Sequence, residues 1–582
     1  MLFRSEKTTL VQALIKGFPN SIESYDLLID ALPSATVDDL ASLAETPTPY
    51  LERMVELLEL YKNDFADRLN TVETNAIDGV LALLDTRRGG GKVSDEALAR
   101  WIRERISDTD AGAAAWYDLL GSRAVLISES LEKVYREETI SSKRIAMSRL
   151  LVAIHYNDYE KLISFVDTLN PEELSVWANG IGRDRLDSLQ IPWRDFDTDD
   201  GFQQISEADC VKQANRILAI YSFGNAESLF QSLEDRKDPR IRTYVTHRIR
   251  DTKLTITSLM EAMLDENTKP DVLYGLLTIL SFAEQNAFER SLKEKIGEWL
   301  IKSYEYHPDA GVHAMCRVLL GRGNRHSEMN SADRRLIDEG IVRDREWFVN
   351  LYGMHMAIIK GNVDFWMGLP KGKKPALFDN LGHLQHIEQS YAIGMDEVSV
   401  GQYRLFDPEF AKGESDDSPA GNLSWDDCVL YCNWLNRHES LDEIVVELGP
   451  DNSRKLTTDT IHGYRLPKHA EWEYASRAKT STSRFHGCDE TPFTENFFCA
   501  TLSSGKSSIL PNRFGLSNSI SSKSEWTMTN SSEYAGSIFR NCGGSTIAPD
   551  FSRNNSQSSF DLAISKSPTT GMRIVRCTPI FD

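Results

Sequence analysis

The 582-residue chain lacks the features that mark secreted, membrane-spanning and disulfide-rich proteins. Its longest apolar run, Leu273 to Phe282, is about half as long as a membrane-spanning helix requires. The N-terminus lacks the apolar core of a secretory signal and carries an early acidic residue, Glu6. Eight cysteines in this length, none in a C-x-x-C pair, do not make a disulfide scaffold. We therefore expect a cytoplasmic protein that does not act at a membrane.

An excess of positive charge is also missing, since the formal net charge is −22. A general nucleic-acid binder needs stripes of Lys and Arg to neutralise phosphates, so we expect no nucleic-acid partner. The one notable basic cluster runs from Arg87 to Lys92 around three glycines. It does not have the ordered spacing of a phosphate-binding loop, and a flexible surface loop is the better interpretation.

Amphipathic helices are predicted for the first ~330 residues, where Gly and Pro are sparse and apolar residues recur at helical spacing. Residues 1–200 are predicted to be a helical region without a clear repeat. In residues 201–325, a Pro/Asp turn precedes an apolar helix three times, at Pro239, Pro270 and Pro308. This recurrence resembles HEAT-type helical pairs, which stack to bury a continuous core. An irregular helical bundle is the alternative.

A polar stretch then separates the helices from a segment of different composition. We place a linker at residues 326–340 and a second domain at residues 341–582. Gly, Ser, Asn and aromatic residues rise there, and short strands between turn residues are predicted. Two helices stand out: one begins at Ser424, with Asp427 completing a capping box, and one begins at Pro467.

Two short pairs of potential metal ligands occur in this second domain. Cys428 and Cys432 are four residues apart on the first predicted helix and therefore share a face. They are either a metal pair or, as we favour, buried thiols that behave as small apolar side chains. His383 and His386 form the only close histidine pair, for which a solvated loop is favoured over a metal site.

Several motifs of the second domain resemble the formylglycine-generating enzyme (sulfatase-modifying factor) family. They occur in the expected order and begin near Trp347: E-V-S-V-G-Q-Y at 397–403, N-L-S-W-D-D-C at 422–428, G-Y-R-L-P at 463–467, P-N-R-F-G-L at 511–516, E-W-T at 525–527, G-G-S at 543–545 and G-M-R at 571–573. The resemblance implies a C-type-lectin-like α+β fold. The helices before it are similar to regions that precede such domains in large bacterial, kinase-linked proteins. The expected fold class is therefore multidomain: all-α HEAT-like repeats followed by this α+β domain.

The family's copper chemistry is not expected to survive. The aerobic enzymes of the family bind Cu(I) with two thiolates in the pattern G-G-S-x-x-C-x-x-x-x-C, because soft Cu(I) prefers sulfur. Here Ala548 and Arg553 stand where the two cysteines would be. The resemblance therefore predicts no copper site and no catalytic residue at these positions.

The family's calcium segment, G-N-x-W-E-W, is also altered. The matching residues run from Ser521 to Trp526, with Ser-Ser in place of Gly-Asn and a cation at Lys523. Ca²⁺ requires oxygen ligands, so a weak or absent calcium site is expected. We expect no cofactor.

A binding surface is the function that this domain retains in our interpretation. The loop from Ser552 to Ser559 is rich in Asn and Ser and is either a recognition surface or a solvated loop. The resemblance places it in one groove with an aromatic ring and charged groups. The candidate ligand-binding residues are Glu525, Trp526, Arg553, Asn554 and Arg573. Trp526 is equally compatible with a core position.

The sequence thus predicts a non-oxidase interaction protein with a degenerate sulfatase-modifying factor domain on a helical-repeat platform. Its partner is expected to be a protein or peptide, with a glycan as the second ligand class. The alternative is a formylglycine-generating or related sulfatase-modifying oxidase that uses an unrecognised site.

Overall fold

Helices account for the regular structure described up to residue 339, and strands appear beyond it. The computed structural model describes short helical stretches before residue 82 and then residues 95–106, 109–121, 123–181, 205–252, 254, 256–283, 289–369, 381–449, 454–456, 462–487, 499–501, 507–518, 523–530, 538–543 and 558–577. The chain divides into two units. The first comprises Met1–Trp193, Leu218–Asn225 and Asp251–Lys253, and the second comprises Arg194–Ile217, Ala226–Arg250 and Leu254–Asp582.

Between residues 95 and 181, the described part of the first unit contains seven helices. They are α1 (Asp95–Arg105), α2 (Asp110–Leu120), α3 (Arg123–Leu126), α4 (Ser128–Glu137), α5 (Ser141–His155), α6 (Tyr159–Val166) and α7 (Pro171–Ile181). The apolar faces of these helices form the core, in which the rings of Trp101 and Trp116 meet edge to face at 5.7 Å. The prediction of a helical N-terminal region is therefore confirmed.

Eight further helices are described up to residue 339. They are α8 (Glu207–Ser222), α9 (Glu227–Leu233), α10 (Arg240–Asp251), α11 (Thr257–Met263), α12 (Pro270–Phe282), α13 (Arg290–Tyr306), α14 (Ala310–Arg322) and α15 (His326–Glu339). The predicted Pro/Asp turns start helices as expected. Pro270 is the first residue of α12, and Asp309 caps α14 by accepting the Val312 N–H at 2.9 Å. Assignment to the HEAT family stays a prediction.

The segment predicted as a linker, residues 326–340, is helical for most of its length. It forms α15, which buries Ala332 and Leu336. The helix ends at Gly340, whose φ of +68° suits a residue without a Cβ. Leu336 packs in the same apolar cluster as Trp347, the first residue of the first strand. The change in composition therefore marks the last helix of this region, while the domain boundaries stay predictions.

Two main sheets form the C-terminal part. One has the order β1 (Trp347–Val349), β2 (His355–Ile359), β5 (Tyr391–Gly394), β15 (Val575–Arg576) and β8 (Tyr464–Arg465). The other has the order β13 (Ser558–Leu562), β12 (Ile538–Cys542), β11 (Ser524–Asn530) and β14 (Thr570–Gly571). Three hairpins complete the described strands: β3 (Val363–Met367) with β4 (His383–Ile387), β6 (Val446–Leu448) with β7 (Arg454–Leu456), and β9 (Cys499–Thr501) with β10 (Ser507–Ile509).

Three helices accompany these sheets: α16 (Val400–Arg404), α17 (Trp425–His438) and α18 (His469–Arg477). Ser424 and Asp427 form the predicted capping box at the start of α17. The predicted start of α18 at Pro467 is wrong, because Lys468 is its N-cap. The carbonyl of Pro467 instead accepts the Met528 N–H at 2.9 Å, which ties this position to β11.

Helices of the second unit are joined directly to loops of the C-terminal part. Arg513 donates from Nη1 to both carboxylate oxygens of Asp309, at 2.6 and 2.7 Å, and its Nε lies 3.1 Å from Asp235. The Tyr274 hydroxyl donates to the carbonyl of Pro511 at 2.6 Å. At Gly311, a Cβ would stand 2.6 Å from the Arg513 carbonyl oxygen, so only glycine permits this approach. The Pro/Asp turns therefore serve as docking points as well as helix starts.

Candidate functional site

A buried ion pair joins Glu525 and Arg573, two of the candidate ligand-binding residues. Strand β11 lies between β12 and β14, which pairs Glu525 with Gly571 and brings Arg573 close to the carboxylate. Arg573 Nε lies 3.0 Å from Oε2 and Nη2 lies 2.9 Å from Oε1, a bidentate contact. Both side chains are 0% exposed. The pair therefore neutralises two charges inside the domain.

One oxygen of Glu525 and both terminal nitrogens of Arg573 have further partners. The indole Nε1 of Trp472 donates to Glu525 Oε2 at 2.7 Å. Arg573 also donates to the carbonyls of Gly394 and Ser517, at 2.8 and 2.9 Å. Arg573 thus links β5 and the loop after β10 to β11. Buried charges are tolerated when they are paired and bonded in this way.

Trp526 follows Glu525 on β11 and points to the other face of the strand. It is 1% exposed and lies in the main apolar cluster of the domain, with Trp425 and Leu423 among its members. Its indole Nε1 donates to the Leu423 carbonyl at 2.9 Å. The ring therefore packs the scaffold and has its single donor satisfied.

The structure brings Glu525, Trp526 and Arg573 into one region of the fold. Arg553 and Asn554, with Ala548 and most of the 552–559 loop, lie outside the described residues. Ligand binding by these five residues stays a prediction. The three described residues, Glu525, Trp526 and Arg573, make contacts within the scaffold.

In the segment that resembles the family's calcium site, the ammonium group of Lys523 lies next to a backbone carbonyl. Lys523 Nζ donates to the carbonyl of Pro568 at 2.6 Å. The backbone N–H of Lys523 donates to the buried carboxylate of Glu397 at 3.1 Å. One carbonyl and one carboxylate, the oxygen ligands that a hard cation prefers, are thus already engaged by nitrogen donors. Ser521 and Ser522 of the same segment lie outside the described residues, and the weak or absent Ca²⁺ site stays a prediction.

Burial raises the pKa of three cysteine thiols in the C-terminal part. Cys428 and Cys432 are 0% exposed on α17, and burial raises the pKa of Cys432 to about 12 and that of Cys428 well above its ordinary value. Burial also raises the pKa of Cys542, which precedes the G-G-S motif. A thiol must lose its proton to bind a metal, so these positions oppose metal binding.

His383 and His386 lie on β4 and do not converge. Residues three apart on a strand point to opposite faces. His386 Nδ1 donates to Asp364 at 2.8 Å, and His383 Nδ1 donates to the Leu381 carbonyl at 3.1 Å. Across the described ranges, no group of three or more His, Cys, Asp or Glu side chains is arranged to hold a metal ion.

A second histidine pair, which the sequence reasoning missed, is buried between α14 and β2. His313 Nδ1 donates to the Tyr304 carbonyl at 2.7 Å, so its Nε2 accepts the Nδ1–H of His355 at 2.9 Å. The ring of His313 is stacked between Tyr304 and Trp347, with centroids 4.7 and 3.5 Å away. Burial lowers the pKa of both histidines well below the ordinary value. The sequence signal that could have revealed this pair is that His313 and His355 each lie within an apolar segment.

The fold and the motifs together define a sulfatase-modifying factor domain. Residues 382–578 match the family model described as Sulfatase-modifying factor enzyme 1-like domain. The match covers the strands from β4 to β15 and includes the whole set of buried groups around Glu525. The resemblance stated from the sequence is confirmed for this domain.

Solved structures of low sequence identity also match. Variable protein 1 of Treponema denticola is 19% identical, with 38% of this chain and 95% of that chain covered and a TM-score of 0.30. PvdO from Pseudomonas aeruginosa is 16% identical, with 39% and 95% covered and a TM-score of 0.30. No curated protein matches the chain.

Proposed function

We propose that this chain is a non-oxidase interaction protein whose degenerate sulfatase-modifying factor domain is presented by a helical-repeat platform. The observation that carries the proposal is the residue pair Ala548 and Arg553. An alanine methyl group and a guanidinium cannot replace the two thiolates that the family's Cu(I) chemistry requires. The domain then retains a scaffold and loops but not the oxidase's metal ligands.

The remaining cysteines support this proposal. The six described ones are free, and five of them are buried. Cys542 is next to the G-G-S motif but is 0% exposed, and burial raises the pKa of its thiol, which disfavours the thiolate that a metal needs. Cys488 and Cys499 have side chains outside the described set, so they are the first candidates under the oxidase alternative.

The platform supports an interaction role by fixing the domain's orientation. Arg513, Tyr274 and Asp309 tie the loop after β10 to the starts of α12 and α14. Loops on a rigid scaffold are common recognition elements, because the scaffold has already met the entropic cost of ordering. A protein or peptide is the proposed partner, and a glycan is the second ligand class.

In this proposal, the charge and hydropathy of the chain indicate where the protein is located and which partners it does not bind. In the part of the chain that is described, no helix combines the length and apolar character needed to cross a membrane. The net charge of −22 disfavours nucleic acid and anionic membrane surfaces. We assign the protein to the cytoplasm, without a copper or calcium cofactor.

The test is a direct assay for the oxidase reaction. Full-length protein is reconstituted with Cu(I) and incubated in air with a peptide that carries a sulfatase cysteine motif. We expect no formylglycine product by mass spectrometry and no tight Cu(I) binding in a competition with a chromogenic chelator. Formation of product, lost in Cys488→Ser or Cys499→Ser, would instead establish the oxidase alternative.

A further inference from the structure

A partly exposed aromatic surface covers one side of α17 and the segment after α16. Its outer layer consists of Tyr352, Phe406, Phe410 and Trp434, each intermediate in exposure. The ring centroid of Trp434 lies 5.3 Å from that of Tyr352 and 6.1 Å from that of Phe406. Trp434 therefore joins Tyr352 and Phe406 into one cluster of rings. We call it, together with the two leucines described below, the aromatic surface.

The outer rings rest on a buried inner layer. Tyr403 and Tyr431 are 4% and 0% exposed, and their rings stack at 5.1 Å. Phe410 lies 4.4 Å from Tyr403, and Trp434 lies 5.9 Å from Tyr431. The outer rings are thus held in position before any partner arrives. Preorganised aromatic side chains lose little conformational entropy when they bind.

Two exposed leucines extend the apolar area. Leu430 is 53% exposed and precedes Trp434 by one turn, so both lie on the solvent side of α17. Leu405 is 54% exposed and directly precedes Phe406. A single exposed leucine needs no explanation, but leucines adjoining four partly exposed rings form the kind of patch that marks an interaction site.

The segments that carry this surface are strongly acidic. Residues 404–417 and 437–447 contain nine acidic and three basic residues, against 87 and 65 in the whole chain. Ion pairs with basic side chains hold Glu409, Asp416, Glu439 and Glu443. In the described part of the chain, no basic side chain forms an ion pair with Asp407 or Asp442. Burial is the largest cause of the raised pKa of Tyr403, followed by Cys428, Asp427 and then Asp407, which is therefore near this ring. The rim therefore favours a cationic partner.

We propose that the aromatic surface binds a basic peptide segment of a partner protein, in which Arg or Lys alternates with leucine or aromatic residues. The apolar side chains would lie on Leu405, Leu430 and the rings. Guanidinium groups would contact the exposed parts of the rings and pair with the acidic rim, as such groups do on aromatic side chains beside carboxylates. The inference rests on the proposed interaction function and names the partner's chemistry.

The test uses full-length protein and a fluorescent twelve-residue probe of the repeat Arg-Leu-Ser. Anisotropy titrations compare it with a probe in which Glu replaces Arg and another in which Ser replaces Leu. We expect binding of the first probe alone, weakened by added salt because exposed charges are screened. Leu430→Ser and Asp407→Asn should each weaken it, Leu430→Ser by up to roughly tenfold, because about half of the leucine side chain is exposed and can be buried by the probe.

The matched control is Leu384→Ser, since Leu384 is 68% exposed on the β3–β4 hairpin. Circular dichroism establishes that each variant is folded. The proposal fails if the wild-type protein does not bind the Arg-Leu-Ser probe, or if Leu384→Ser weakens binding as much as Leu430→Ser. Displacement of the probe by a neutral oligosaccharide, with Asp407→Asn unchanged, would assign the surface to glycans and also overturn it. None of these results affects the copper and formylglycine assays, which test the proposed function separately.

Discussion

Replacing Glu525 by Gln should destabilise the C-terminal domain strongly, because the change leaves Arg573 buried without its counter-ion. Glu525 accepts two contacts from that guanidinium and one from the Trp472 indole, and the pair is 0% exposed. Removing one partner of a buried ion pair costs about 3–5 kcal/mol. If Glu525 instead served mainly as a ligand carboxylate in an open groove, the variant would lose binding but little stability.

Hydrogen exchange with mass spectrometry is the suitable assay, since the two units of the chain need not unfold as one transition. The peptides that contain β11 and β14 should exchange faster in Glu525→Gln by a factor that corresponds to this loss. Glu443→Gln is the matched control, because its ion pair with Arg437 is exposed and contributes about 0–1 kcal/mol. A loss in Glu525→Gln no larger than in the control would refute the buried-pair argument.

Three further outcomes are expected. Asp309→Asn keeps a cap for α14 but removes the charge opposite the largely buried Arg513, so it should lower the free energy of unfolding by about 2–3 kcal/mol. Asp309→Ala also removes the cap and should lower it by about 1 kcal/mol more, as measured by urea unfolding. His313 and His355 have lowered pKa values in the fold, so the unfolded chain binds more protons than the folded chain below about pH 6.5. The free energy of unfolding should therefore fall as the pH is lowered through this range, by up to about 1.4 kcal/mol per pH unit for each histidine. His355→Phe should reduce this slope. Limited trypsin digestion should leave α15 uncut while surface loops are cleaved, because a packed helix must unfold before cleavage. Early cleavage between residues 326 and 339 would instead support a flexible linker.

Local signals predicted much of the fold, because they depend on neighbouring residues alone. The Ser424–Asp427 capping box and the helix start at Pro270 follow from residue types three positions apart or at a first turn. The collinear motifs of the C-terminal domain identified its family for the same reason. The start of α18 was predicted two residues early, since a sequence cannot show that the Pro467 carbonyl pairs with Met528.

The roles of the candidate site residues were harder to predict from the sequence, because they depend on contacts between residues that are far apart in the chain. Glu525 and Arg573 are 48 positions apart, and only the pairing of β11 with β14 places them together. A carboxylate and a guanidinium near an aromatic residue suggest a pocket from sequence, whereas the same groups fully buried form a structural ion pair. The sequence does not show that these two groups are buried, because their burial depends on the sheet register.

The contacts at the start of α14 bear on how far the C-terminal domain can stand alone. A chain that began at residue 341 would retain Arg513 but lose Asp309 and Asp235, the two carboxylates that neutralise it. It would also expose Trp347, whose indole N–H donates to the His307 carbonyl at 2.8 Å and whose ring stacks on His313. A buried cation without a counter-ion and a large uncovered ring each oppose folding. The helices before residue 340 are therefore part of what stabilises the family domain, and its binding properties should be measured with them in place.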